Sequence, residues 1–92
     1  MNPQRLFRPF ASHDEYIEAV RSLAADLAAT GHEAASEELR EGFACLNGLT
    51  DGWAALVEAA DAVRDRHVSG LSPSQRTRLA EVRRVARRVA RR

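Results

Sequence analysis

The sequence predicts an all-α protein: a small up-and-down bundle of four helices with an arginine-rich C-terminal helix and an extended N-terminal arm. Three observations predict it. Apolar residues recur at three- and four-residue spacing through four separate segments, the period of a helix that turns one face to a core. Each segment is bracketed by residues that start or stop helices, namely Ser12, Gly31, Gly48, Thr50, Gly70 and the pair Ser72-Pro73. No stretch alternates apolar and polar residues as a half-buried strand does. At 92 residues, with no long linker or internal repeat, the chain reads as a single helical domain over 1–92.

Residues 1–11 contain Pro3, Pro9, Phe7 and Phe10 and read as the arm. Its two phenylalanines gain about 2–3 kcal/mol each by docking on the body. The first helix, 12–30, opens on Ser12-His13-Asp14-Glu15, a capping box in which the Ser hydroxyl takes an orphan amide and Glu15 reaches back. Tyr16, Ile17, Val20, Leu23, Ala24 and Leu27 form its apolar stripe, and Gly31 stops it. The second helix, 32–47, places Ala35, Leu39, Phe43 and Leu46 on one face, and Asn47-Gly48-Leu49 reads as a Schellman stop.

Thr50 caps the third helix, 50–69, and Asp51 suits its positive end. Its buried stripe is Trp53, Leu56, Val57, Ala60 and Val63; Arg64, Arg66 and His67 fall in its last turns, and Gly70 closes it. The short link between the second and third helices makes them antiparallel neighbours. The fourth helix, 73–91, has Ser72 as cap, Pro73 at the first position and Gln75 completing a box. Leu79, Val82, Val85, Ala86, Val89 and Ala90 cover an arc of about 140° on its wheel, and eight arginines occupy the rest.

Composition narrows the function classes. Hydrophobic residues make up 45% of the chain, but 17 of them are alanine, so the core is thin and self-association is a ready source of stability. No run is long enough to span a bilayer, and the N-terminus lacks the apolar run of a signal peptide. Lone Cys45 excludes an internal disulfide and a cysteine-built zinc site, which points to a reducing cytoplasm. All 14 basic residues are Arg, a bias that fits a GC-rich bacterial source.

The net charge of +1 conceals a division. Residues 71–92 carry eight Arg against one Glu, a formal +7, while residues 1–70 carry six Arg against twelve acids, a formal −6. Three arrangements follow: the arginines pair with acids of their own chain, pair with a second chain in a homodimer, or stay open to phosphate. For the last, Arg76, Arg83, Arg84, Arg87, Arg88 and Arg91 are the candidate phosphate contacts. The acidic remainder opposes a nucleic acid, and no base-reading side chain follows Gln75, so any such binding is non-specific. A Val/Ala face without Trp, Phe or abundant Leu does not suit a membrane surface.

Catalytic chemistry finds little support. His13, His32 and His67 sit at helix ends with no HxxxH or HExxH spacing, so no metal site is expected. Cys45 reads as a small buried residue, and Ser36, Ser69, Ser72 and Ser74 as polar or cap positions. There is no phosphate loop, and no cofactor is expected. Gly42 and Gly52 lie inside helices, where Gly costs about 1 kcal/mol against Ala, so each marks a close approach. Either two helices of the chain meet there, or the turn presents Asn47, Leu49, Asp51 and Trp53 to a partner. The expectation is a non-enzymatic protein–protein interaction or oligomerisation module, binding itself or another protein. The alternative is a non-specific nucleic-acid-associated protein using the arginine face.

Overall fold

A computed structural model describes residues 7–46 and 52–91, and over these all regular structure is helical, with no strand. The helices are α1 (His13–Ala29), α2 (Glu33–Ala44), α3 (Gly52–His67) and α4 (Pro73–Ala90), with one 3₁₀ turn, Val68–Gly70, between α3 and α4. Each helix packs against the next, and α4 packs back against α1. That cycle leaves α2 and α4 across the molecule from one another, in a body of 39 × 22 × 18 Å.

The helix ends follow from their capping chemistry. Ser12 Oγ accepts the Glu15 N–H at 3.1 Å, but the return bond from Glu15 is not made, so α1 has half of the expected box. At α4 the box is complete: Ser72 Oγ accepts the Gln75 N–H at 3.1 Å and Gln75 Oε1 accepts the Ser72 N–H at 2.9 Å. Gly31, at φ +88°, turns the chain out of α1. The His32 N–H reaches back to the Leu27 carbonyl at 2.8 Å and the Gly31 N–H to Ala28 at 3.4 Å, the paired bonds of a Schellman motif.

α2 stops at Ala44, short of the expected 47. The start of α3 lies directly on the backbone just beyond that end, so close that a Cβ on Gly52 would collide with the Cys45 carbonyl. The expected Schellman stop at Asn47-Gly48-Leu49 and the Thr50 cap with Asp51 lie outside the described residues. Because α2 ends early, Cys45 falls past it and is exposed rather than buried. Gly42 marks the crossing of α2 and α3: a Cβ there would collide with Ala59 Cβ and sit 3.1 Å from the Ala55 carbonyl. Gly42 and Gly52 both let the chain approach itself closely.

The core gathers Tyr16, Val20, Leu23 and Leu27 from α1, Leu39 from α2, Leu56, Ala60 and Val63 from α3, and Leu79, Val82, Val85 and Ala86 from α4. Two buried polar side chains bind helices together. Ser36, expected to be a polar or cap position of a helix, donates to the Ala24 carbonyl at 2.7 Å and joins α2 to α1. Gln75 donates through Nε2 to Asp26 Oδ2 at 3.0 Å and to Thr30 Oγ1 at 2.9 Å, fixing the start of α4 to the end of α1.

The described part of the arm is a turn and not an extended strand of chain. The Phe10 N–H donates to the Phe7 carbonyl at 2.7 Å, and the Arg8–Pro9 bond is cis. This turn carries Phe7 into the core, where its ring lies 5.9 Å from both Tyr16 and Trp53.

Candidate anion-binding groove

α4 docks through Leu79, Val82, Val85 and Ala86, and this burial turns its arginines outward. Only some find partners on the chain. Arg78 reaches Asp26 at 3.4 Å and Ser22 at 3.2 Å, Arg83 pairs with Asp61, and Arg88 donates to the Arg8 carbonyl at 3.2 Å. The side chains of Arg76, Arg84, Arg87 and Arg91 make no hydrogen bond or ion pair with any described residue. Docking on the acidic body therefore occupies a minority of the arginine face, and the apolar arc holds the helix in place.

The six candidate phosphate contacts, Arg76, Arg83, Arg84, Arg87, Arg88 and Arg91, come together along one groove of about 560 Å³. Its other wall is the end of α3 and the turn after it, which supply Arg64 and Val68, and its floor is Leu79 and Ala80. Val68 is 38% exposed, the one large hydrophobic side chain left open to solvent among the described residues. Seven arginines thus surround a small apolar floor. Asp61 is shared by Arg83 and Arg64, and Asp65 lies 3.2 Å from Arg64. Along α4 the pairs Arg83–Arg87, Arg84–Arg88 and Arg87–Arg91 stand one turn apart. Each such like-charge pair costs about 0.2–0.5 kcal/mol, a repulsion that a bound anion relieves.

The second set of candidates is not assembled into a site. Trp53 is half-buried, its ring 5.8 Å from Tyr16, 5.9 Å from Phe7 and 6.1 Å from His13, so it faces α1 and the arm. Asn47, Leu49 and Asp51 lie outside the described residues. The histidines are dispersed: His13 packs edge-on to Phe7 at 5.1 Å, His67 faces Glu38 at 3.6 Å, and His32 lies beside Gly70. Among the described residues, no group of three or more His, Cys, Asp or Glu could hold a metal ion. No helix among them is long and apolar enough to cross a membrane.

Two features escaped the sequence reading. Glu38 has a buried Oε2 without a hydrogen bond, while its Oε1 pairs with Arg66. A smaller hollow of about 280 Å³ lies between α1 and α2, lined by Val20, Ala24, Leu39 and Phe43 and edged by Arg21 and Arg40. The Arg21 guanidinium stands 5.7 Å from the Phe43 ring centre, a cation–π contact between two helices that no single-helix wheel brings together. Comparison of the chain with protein-family models, curated proteins and solved structures finds no match.

Proposed function

We propose that this chain is a non-enzymatic interaction module, an up-and-down bundle whose working surface is the arginine groove, and that the groove takes an acidic segment of a protein. The observation that carries this reading is that the unpartnered side chains of Arg76, Arg84, Arg87 and Arg91 stand beside apolar Val68, Leu79 and Ala80. An amphipathic acidic helix offers both matching elements, carboxylates for the guanidinium groups and an apolar edge for Val68. Guanidinium also binds carboxylate in a bidentate manner, which lysine cannot do, and the chain's basic residues are all Arg. A reducing compartment suits the module, since its exposed Cys45 then stays a thiol.

A second reading, non-specific binding of a nucleic-acid backbone, draws on the arrangement of charge. The six arginines lie along a single helix face, and the unpaired glutamates lie on α2, across a body whose shorter dimensions are 22 and 18 Å. A Debye length is about 8 Å at physiological ionic strength, so those glutamates weaken phosphate binding on the arginine side less than their number suggests.

The two readings separate in one experiment. Fluorescence anisotropy is followed for a labelled peptide with a glutamate stripe beside a leucine stripe, and for a labelled random-sequence DNA duplex, across a salt series. The peptide is expected to bind, and Arg84→Ala with Arg87→Ala to weaken it roughly tenfold, from up to about 1 kcal/mol per exposed pair. Val68→Asp is expected to weaken it as well. Duplex binding that depends on the arginines and ignores Val68 puts the nucleic-acid reading first. Binding of neither probe at low salt overturns the groove as a binding surface.

A further inference from the structure

The face of the molecule across from the groove carries its electrostatic counterpart. Glu33, Glu37 and Glu41 follow one another at four-residue spacing on α2, are all exposed, and make no ion pair or hydrogen bond through their carboxylates. They span about 12 Å of helix at 1.5 Å per residue. The unpartnered Arg84, Arg87 and Arg91 span about 10.5 Å of α4 on the same rise. The two rows match in length, are opposite in sign and are both unsatisfied within the chain.

Resting on the reading of the groove as a site for an acidic protein segment, we infer that its occupant is the glutamate row of α2 from a second copy of this chain. The placement of the rows dictates the kind of assembly. In an isologous pair, each groove must take its partner's row at one shared interface, so both surfaces have to lie on the same side of the molecule. Here α2 and α4 lie across the body from each other, so a copy that fills one groove presents its own groove on the far side. Copies therefore join head to tail, and the assembly grows past the dimer, as an open filament or as a ring if the rotation between copies closes. Arg40 borders the glutamate row but edges the hollow between α1 and α2, leaving Glu33, Glu37 and Glu41 as the contact. Exposed ion pairs are individually weak, so the association belongs in the micromolar-to-millimolar range and dissolves with salt.

Sedimentation velocity of the full chain tests this at rising concentration and two ionic strengths. At low salt the weight-average mass is expected to climb past twice the 10.2 kDa of one chain, and at high salt to return to one chain. Reversing the glutamate row (Glu33→Arg, Glu37→Arg, Glu41→Arg) or the arginine row (Arg84→Glu, Arg87→Glu, Arg91→Glu) is expected to give monomers. An equimolar mixture of the two reversed proteins is expected to reassemble, because the altered rows are complementary to each other. Circular dichroism checks that each variant is folded, and the corresponding Gln substitutions replace any reversal that is not. A single-chain mass at every concentration overturns the inference, as does a mass that stops at the dimer or a mixture that stays monomeric. If the chain stays monomeric while the acidic peptide still binds, the groove reading stands and self-docking falls; if the peptide also fails to bind, both fall.

Discussion

The Tyr16 hydroxyl donates to the Val82 carbonyl at 2.8 Å from a fully buried position, tying α1 to α4 by a bond that lasts only while the phenol keeps its proton. Burial pushes its pKa up from the usual 10.0. The folded chain therefore holds a proton that the unfolded chain releases near pH 10, and stability falls as pH rises above that value. The chain has no lysine and no second tyrosine to titrate alongside it, so urea unfolding between pH about 9.5 and about 11 follows this group. Tyr16→Phe is expected to cost about 1 kcal/mol at neutral pH and to remove much of the alkaline decline. Gly42 gives a second test at this scale. Gly42→Ala improves helix propensity by about 1 kcal/mol, but its methyl meets Ala59, and overpacking costs about 1–3 kcal/mol. A lowered melting temperature is expected, with recovery on adding Ala59→Gly. The sequence marks Tyr16 as a stripe residue and Gly42 as a close approach, but neither the Val82 carbonyl nor Ala59 is a sequence neighbour that could identify the partner.

At the scale of elements, α1 and α4 were readable to within a residue at each end, because Ser12, Gly31, Ser72 and Pro73 act locally on the backbone beside them. α2 was not. Its end is set by the arrival of α3 at Gly52, a tertiary contact that a propensity pattern does not encode, and Cys45 was misplaced with it. The described end of the arm docks its phenylalanines as expected but is a turn rather than extended chain, for a related reason: the turn packs on the rings of Tyr16 and Trp53, which belong to other elements. α4 owes its position to more than one device. Its cap and the bonds of Gln75 to Asp26 and Thr30 secure its start, while Val82 and Val85 bury its middle. Ser72→Ala is expected to lower unfolding free energy by about 1 kcal/mol, measured by urea denaturation. Leu79→Asp with Val82→Asp puts two uncompensated charges in the core and is expected to unfold the protein, seen as loss of helical circular dichroism.

For the whole molecule, a net charge of +1 stands in for two opposed surfaces. The arginine set was legible because a wheel drawn on one helix is enough to align it. The groove was not, because Arg64 and Val68 come from a different part of the chain. An anion that fills the groove stabilises the folded state by mass action. Tripolyphosphate is thus expected to raise the melting temperature of the natural chain, and much less that of Arg84→Ala with Arg87→Ala; equal shifts in both count against the groove. The ring cluster under the arm also equips the protein with an internal optical reporter. Tyr16 and Trp53 are the only tyrosine and tryptophan, with ring centres 5.8 Å apart on α1 and α3. At that separation the excited phenol passes its energy to the indole before it can emit. Light absorbed by either ring therefore leaves the folded protein as tryptophan fluorescence alone, and the first tyrosine emission on heating marks the parting of α1 from α3.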